Sequence, residues 1–276
     1  MTSFQKIIKY CANTFAIFLI IGIIGGASSA LLAITGISTI KDRVEENKES
    51  VYIEDENNFQ QLELSNKKVE KLKIDVLSAN IVIRTGKEFS VKYSGVNFDF
   101  EQKDNKLEIE NESDFSSVGQ LLITVPEKMA FKKFTLNSGA GNVSIENLAC
   151  DELDLDLGAG QTNIDYLAVK KEGEIDTGVG KMDISSGVIN NLEASLGVGQ
   201  SVIKAELKGK SKVDSGIGKL NLILVGDGSA YTLKTKAGIG ELKIDGEKLT
   251  GNKTVGNGEN YITIENGIGA VDVRFE

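Results

Sequence analysis

The chain has 276 residues, with 31 Lys or Arg and 40 Asp or Glu, so its net charge is -9. This balance argues against nucleic acid as a partner. Histidine is absent, which excludes Ser-His-Asp and Cys-His catalysis and histidine-ligated zinc sites. Two cysteines, Cys11 and Cys150, cannot form a four-cysteine metal site or a disulfide framework. The composition therefore predicts no catalytic residue, no cofactor and no metal ligand.

An uncharged segment near the N-terminus predicts a membrane span. No charged residue lies between Lys9 and Lys41, and residues 14–37 are dominated by Phe, Ile, Leu, Ala and Gly. As a helix, residues 14–37 would be about 36 Å long, which exceeds the roughly 30 Å hydrocarbon layer of a bilayer. We expect one transmembrane helix over residues 14–37, with the lipid bilayer as its partner, after a short cytoplasmic N-terminus over residues 1–13.

A cleaved signal peptide is the alternative interpretation of this segment. Ser28, Ser29 and Ala30 offer small residues after an apolar run, as a cleavage site would. The apolar stretch continues through residues 31–34, which favours an uncleaved helix. Positive residues flank the segment on both sides, so charge does not decide its orientation. Because a large folded domain can translocate despite such charges, we expect the C-terminal domain to be extracytoplasmic.

The rest of the chain divides into a linker and a β-rich domain. Residues 38–68 are rich in charged and amide side chains, which predicts a stalk or linker. Residues 69–276 are β-patterned, and residues 69–134 form an irregular opening region. Within it, residues 77–83 look like a coil of the later repeat without its glycines. We expect this opening region to cap the domain.

A glycine repeat dominates residues 135–276. Seven Gly-x-Gly triplets have Ala, Val or Ile in the middle, and successive triplets start 19, 20, 19, 19, 22 and 29 residues apart. A period near 20 residues predicts a β-solenoid in which each repeat is one coil stacked on the last. The triplets begin at Gly139, Gly158, Gly178, Gly197, Gly216, Gly238 and Gly267.

The apolar pattern within a repeat predicts a corner at the second glycine. The residue three before each triplet and the middle residue of the triplet lie four apart, which predicts that both occupy one face of a strand. After the second glycine the alternation has slipped by one residue, so the strand must bend or bulge there. The middle residues are Ala140, Ala159, Val179, Val198, Ile217, Ile239 and Ile268.

A resemblance to a known family rests on two segments and on the repeated coils that follow them. The segments are residues 121–126, Leu-Leu-Ile-Thr-Val-Pro, and residues 134–148. Together they resemble the "putative adhesin" β-strand-repeat family of bacterial envelope proteins, a domain of unknown function. The resemblance covers residues 69–276. It implies a right-handed parallel β-helix-like fold and a bacterial envelope setting, often beside stress-response systems. The family has no established catalytic residues, so the resemblance implies none here.

Two motifs that could suggest ligands have simpler interpretations. No triplet has a glycine three residues after its second glycine, as the dinucleotide fingerprint requires, and residues 246–254 miss the phosphate-loop pattern by one inserted Asn252. Asp156, Asp176 and Asp214 recur two residues before their triplets, where calcium between coils is conceivable. Other residue types interrupt this row, so we interpret it as a solvated acidic face.

The sequence thus predicts a non-enzymatic, single-pass membrane protein whose β-solenoid is a binding or scaffold surface in the cell envelope. An envelope polymer or a membrane protein is the expected partner. The alternatives are an accessory domain of an envelope-stress sensing system and a carbohydrate-active β-helix enzyme. The predicted surface comprises two rows of outward side chains: Asn142, Gln161, Lys181, Gln200 and Lys219, and Asp156, Asp176 and Asp214.

Overall fold

The computed structural model describes residues 58–65, 68–111 and 117–276, all within the unit Ser50–Glu276. Among these residues, no helix has the length and apolar character that a membrane span requires. The transmembrane helix predicted over residues 14–37, and Cys11 with it, lies outside the described residues. What the structure describes is the β-domain.

Strands account for most of the described residues, and all of them join one sheet that winds into coils. A 3-10 turn at Gly228–Ala230 interrupts them. The eighteen strands of the described residues are β1 Gln60–Gln61, β2 Lys71–Gly86, β3 Ser90–Ser94, β4 Asp99–Lys103, β5 Lys106–Asn111, β6 Gly119–Pro126, β7 Phe131–Ala140, β8 Val143–Ile184, β9 Gly187–Asn190, β10 Leu192–Lys208, β11 Lys210–Asp214, β12 Ile217–Leu224, β13 Tyr231–Lys236, β14 Ile239–Ile244, β15 Glu247–Lys248, β16 Lys253–Gly256, β17 Asn260–Glu265 and β18 Ile268–Phe275.

Parallel pairing between successive repeats confirms the predicted β-solenoid. The strand before each triplet pairs in parallel with the equivalent strand of a neighbouring coil, as Leu136 does with Leu155. The strand after the triplet does the same, as Ile203 does with Leu222. β8 and β10 pass through the corner without a break in strand structure. Equivalent residues of different coils therefore form ladders along the solenoid.

Two of the inward ladders that form the core lie on either side of the corner. The residues three before each triplet are at most 1% exposed: Leu136, Leu155, Ile175, Ala194, Val213, Thr235 and Ile264. The ladder after the corner includes Ile145, Ile164, Ile184, Ile203, Leu222 and Val273, which are also buried. Alternation of inward and outward side chains on each strand produces this arrangement.

Spatial order departs from chain order at both ends, which corrects the expectation that each coil stacks on the last. β2 lies between β5 and β7, so the second coil is outermost at the N-terminal end. β18 lies between β12 and β14, so the final coil is inserted inside the penultimate one. The two outermost coils then form antiparallel pairs that cover much of their edges: β4 on β5, β3 on β6, β16 on β13 and β15 on β14.

The physical reason is that an end strand would otherwise expose unpaired N–H and C=O groups. The insertion that lengthens the last spacing to 29 residues supplies β15 and β16, so residues 246–254 are part of the end cap. At the N-terminal end, residues 77–83 do form a coil without glycines, since Ser78 pairs with Ala140 and Ile81 with Val143. The predicted capping role of residues 69–134 is met by the coil of β5 and β6.

The described part of the predicted linker already belongs to the sheet. Gln60 pairs with Tyr93 through the antiparallel strands β1 and β3, and the Leu62 N–H donates to the Val91 carbonyl oxygen at 2.9 Å. Leu62 and Leu64 are partly buried against the core. The β-domain therefore begins before residue 69.

Both glycines of each triplet are explained by contact between neighbouring coils. Gly180 has φ of +150°, and a Cβ placed on it would lie 1.8 Å from the Gly160 carbonyl oxygen. A Cβ on Gly178, the first glycine of the same triplet, would lie 2.3 Å from the Gly158 carbonyl oxygen. The second glycine combines a positive φ with this close approach, so the predicted corner is confirmed.

Replacing Gly180 with alanine is expected to lower the free energy of unfolding by about 3 kcal/mol, because left-handed backbone strain adds to overlap with a carbonyl group. Gly251 is the matched control, since its φ is +70° and a Cβ there would meet nothing within 4 Å. We expect Gly251→Ala to cost about 1 kcal/mol and the outward Lys181→Ser less than about 0.5 kcal/mol. Urea unfolding of the full chain, followed by circular dichroism, measures all three. Equal losses for Gly180→Ala and Gly251→Ala would refute the role of coil contact.

Candidate binding surface

The middle residues of the triplets point outward, contrary to the prediction that they share a face with the inward ladder. Val179, Val198 and Ile217 are 42%, 43% and 50% exposed. The chain turns away from the core at the glycines, so alternation no longer directs the next side chain inward. Sequence alternation alone could not show this, because the turn lies within the stretch over which the alternation was counted.

These middle residues form one continuous row, here called the corner ridge. Register pairs connect Ala140 to Ala159, Val179 to Val198, and Val198 to Ile217. Because the last two coils are exchanged, Ile217 is followed by Ile268 and then Ile239. In spatial order the corner ridge is Ala140, Ala159, Val179, Val198, Ile217, Ile268 and Ile239.

The corner ridge becomes larger and more exposed toward the C-terminal end of the solenoid. Its side chains change from Ala through Val to Ile, and Ile268 and Ile239 are 50% and 71% exposed. A row of glycines flanks the ridge on each side, so no Cβ of an adjoining residue in the same coil shields the aliphatic groups. The result is a line of aliphatic side chains raised above a glycine surface.

A polar row runs beside the corner ridge, on the side of the second glycine. In spatial order it contains Asn142, Gln161, Lys181, Gln200, Lys219, Ala270 and Glu241. Its first members stabilise the stack, since the Gln161 N–H donates to Asn142 Oδ1 at 3.1 Å. Lys181 and Lys219 make no salt bridge within the described part of the chain, so their ammonium groups face solvent. The structure thus brings together the five residues predicted for this row.

An acidic row lies on the other side of the corner ridge, two residues before each triplet. It runs Asn137, Asp156, Asp176, Ser195, Asp214, Glu265 and Lys236. The predicted three aspartates therefore share one row, but Ser195 separates Asp176 from Asp214. Within the described ranges, no cluster of Asp, Glu or Cys side chains is arranged to hold a metal ion.

The two ends of the acidic row differ in electrostatics. Burial raises the pKa of Asp156, and the neighbouring carboxylates of Asp176, Asp154 and Asp75 raise it further. At the other end, a hydrogen bond from Lys236 lowers the pKa of Glu265. Asp214 accepts a hydrogen bond from Lys212 at 2.7 Å. Negative charge is therefore least compensated around Asp156 and Asp176.

A small cavity lies at the corner, lined by glycines, by inward side chains such as Ser138 and Leu157, and by outward residues such as Val179 and Lys181. Its volume is about 30 Å³. Such a volume has room for one or two water molecules.

Cys150 is buried away from solvent, and burial raises the pKa of its thiol to about 12, so the thiol is unreactive. Neither feature offers a ligand site, which leaves the outer surface of the corner as the candidate.

Asp156→Asn is expected to stabilise the solenoid at pH 7. A raised carboxyl pKa means that ionisation in the folded state costs stability, and this cost disappears as the pH falls below the unfolded-state value. Melting temperature should therefore rise by about 1–2 °C at pH 7, a small effect because solvent screens this partly exposed group, with no gain near pH 3. Thermal melts of the full chain at both pH values measure the difference.

Glu265→Gln, in the same row, is the control. Its lowered pKa contributes stability at neutral pH that is lost as the pH falls, so its neutralisation should lower the melting temperature or leave it unchanged at pH 7. A destabilising Asp156→Asn at pH 7 would contradict the assigned electrostatics.

Several solved structures are similar to this chain. A "putative cell adhesion protein" from Clostridium sporogenes is 17% identical, covers 79% of this chain and 99% of its own, and has a TM-score of 0.34. A "putative adhesin" from Bacteroides fragilis is 14% identical, with coverage of 78% and 96% and a TM-score of 0.44. Another "putative adhesin", from Parabacteroides distasonis, is 14% identical, with coverage of 79% and 97% and a TM-score of 0.36.

No curated protein matches the sequence. A family model does match, namely Toastrack DUF4097, over residues 101–274, which is more than half of the chain. This match confirms the family resemblance predicted from residues 121–148 and the glycine repeat. The chain belongs to the Toastrack DUF4097 family.

Proposed function

We propose that this protein is a membrane-anchored β-solenoid that serves as an adhesin-like binding or scaffold surface in the bacterial cell envelope. The observation that carries this proposal is the corner ridge, in which five consecutive Val and Ile side chains are 42–71% exposed. Folded proteins rarely leave a contiguous apolar strip exposed unless it contacts a partner. The strip is continuous over the coils because strand pairing aligns its members.

The anchor in this proposal is the uncharged segment at residues 14–37, inserted once, with the solenoid on the extracytoplasmic side. Its support is the length of the apolar stretch and the size of the domain that follows it. A right-handed wind of the coils is part of the same proposal.

A non-catalytic role fits the distribution of chemical groups along the solenoid. The cavity at the corner has a volume of only about 30 Å³, far below that of a small-molecule site. The outward groups are repeated in rows and are not gathered at one point. Contact with a partner would therefore be shared among several coils, which is typical of a scaffold.

Added proteinase should degrade the β-domain in intact protoplasts, because the proposed orientation exposes everything after the anchor to the outside. Immunoblots with an antibody to the solenoid would follow the digestion, and a cytoplasmic marker protein would show that the cells stay closed. Protection of the domain would reverse the proposed orientation, and a soluble product starting near residue 31 would establish the cleaved signal peptide instead.

Changes along the corner ridge should weaken function progressively. We expect Val198→Ser to have a small effect on the lysozyme sensitivity of an envelope-challenged strain, and Val179→Ser with Val198→Ser and Ile217→Ser to have a large one. The reason is that a repetitive surface spreads its contacts over several side chains. Asp176→Asn, which removes a single carboxylate, should leave the phenotype largely intact. Complete loss with Asp176→Asn in a well-folded domain would indicate catalysis or a metal site instead.

A further inference from the structure

We propose that the corner ridge binds the corner ridge of a second copy of this chain, in a parallel dimer whose two-fold axis runs along the solenoid. This inference rests on the proposed function in that it names a partner for the same surface. Three features of the surface support it: the spacing of the ridge, its glycine borders, and the charges of the two flanking rows.

The spacing of the ridge matches that of a second copy of this chain and differs from those of an extended peptide and an α-helix. Neighbouring ridge side chains are one coil apart, which is about 4.8 Å, the distance between paired strands. An extended peptide presents side chains on one face about every 6.8 Å, and an α-helix has a pitch of about 5.4 Å. Over the four steps from Val179 to Ile239, such partners would lose register. A second copy keeps it, because the same strand pairing sets the spacing in both molecules.

The glycine borders provide the complementary shape. The first and second glycines of the triplets form two rows without side chains, one on each side of the ridge. A slight lateral offset between the two copies would place the ridge of each along a glycine row of the other. Small residues of this kind allow close approach between packed surfaces, as Gly180 and Gly160 already show between coils of one molecule.

The flanking charges favour a parallel arrangement. With a two-fold axis along the solenoid, the polar row of one copy faces the acidic row of the other, since the rows lie on opposite sides of the ridge. Lys181 then faces Asp176, and Lys219 faces Asp214, because each pair occupies the same coil. At the C-terminal end, Glu241 would face Lys236. Charged pairs of opposite sign across an interface set its register and orientation.

An antiparallel arrangement centred on the ridge would have the opposite effect. It would place each row against the same row of the other copy, so that Lys181 of one copy would face Lys219 of the other and Asp176 would face Asp214. Such like-charge contacts are unfavourable. Within the described residues, Lys181, Lys219 and Asp176 make no salt bridge, so a parallel dimer would supply partners that the single chain lacks.

The expected dimer is weak in dilute solution. The strip from the acidic row to the polar row is about 17 Å wide and, over seven coils, about 29 Å long. Its footprint of roughly 500 Å² is below the roughly 800 Å² per partner of a typical stable complex. Confinement of both copies to one bilayer would raise their effective concentration and favour association. The test is therefore best made on the full chain in lipid vesicles.

Single cysteines on the ridge distinguish the possible arrangements. In a Cys11→Ser background, Val179→Cys, Val198→Cys and Ile217→Cys are each reconstituted in vesicles and exposed to a mild oxidant. A parallel dimer should give a disulfide-linked dimer for each variant alone, because equal positions meet across the two-fold axis. Tyr166→Cys, exposed but outside the corner ridge, is the control and should remain monomeric. The buried Cys150 stays in all variants.

Two results would overturn the proposal. Cross-linking at Val198→Cys, together with cross-linking of Val179→Cys only when mixed with Ile217→Cys, would show an antiparallel dimer. Absence of cross-links at all three ridge positions would show that the ridge does not bind a second copy.

Charge exchange gives a second, independent measurement. Lys181→Asp combined with Lys219→Asp should reduce cross-linking at Val198→Cys at least ten-fold, and adding Asp176→Lys and Asp214→Lys should restore it. Circular dichroism melts show whether each variant is folded. If the added Asp176→Lys and Asp214→Lys changes do not restore cross-linking in folded proteins, the assigned pairing of the polar row with the acidic row is refuted.

The dimer and the proposed function can fail separately. A monomeric protein whose lysozyme phenotype still depends on the ridge would exclude the dimer and retain the scaffold role. A dimeric protein whose phenotype is unaffected by ridge substitutions would retain the dimer and exclude the scaffold role.

Discussion

Close contact between the backbones of successive coils at the corner is the constraint on which the rest of this structure depends. The carbonyl oxygen of Gly160 lies where a Cβ of Gly180 would be, and the same relation recurs from Gly218 to Gly269 and from Gly269 to Gly240. Such an approach requires glycine on both steric and conformational grounds. Because every coil meets this requirement at the same place, the coils stay in register and the inward ladders form a continuous core.

The same corner creates the surface that we assign to binding. Turning the chain at two glycines directs the residue between them outward, and the glycines leave it without an adjoining side chain in its own coil. An aliphatic side chain that stays 42–71% exposed gains less from folding than a core side chain does, so the stability of the monomer explains only part of its presence in the coils from Val179 to Ile239. The acidic row adds a second cost, since burial and the like charges of Asp154 and Asp176 raise the pKa of Asp156. Both features are more easily understood as properties of an interface.

The ends of the solenoid show how the fold limits its own growth. A stack of parallel strands would otherwise present an edge that other chains could extend. Here the outermost coils pair with antiparallel strands, supplied at one end by the opening region and at the other by the insertion before the final coil. As a result, the first and last coils of the chain each lie one position in from the end of the stack, and the second and penultimate coils are outermost. This exchange brings Ile268 next to Ile217 and places Ile239 at the end of the ridge.

The amino-acid sequence by itself determined the solenoid, its period, the inward ladders such as Leu136 and Leu155, the corner at the second glycine and the family. These follow from local rules, because alternation and glycine spacing repeat along the chain. Only the tertiary structure decided that Val198 points outward, that the terminal coils change places, and that β1 joins the sheet. Whether a side chain is inside depends on where the chain turns, and the order of coils depends on which edges need covering. Both are set by contacts between residues far apart in sequence, which a local pattern does not encode.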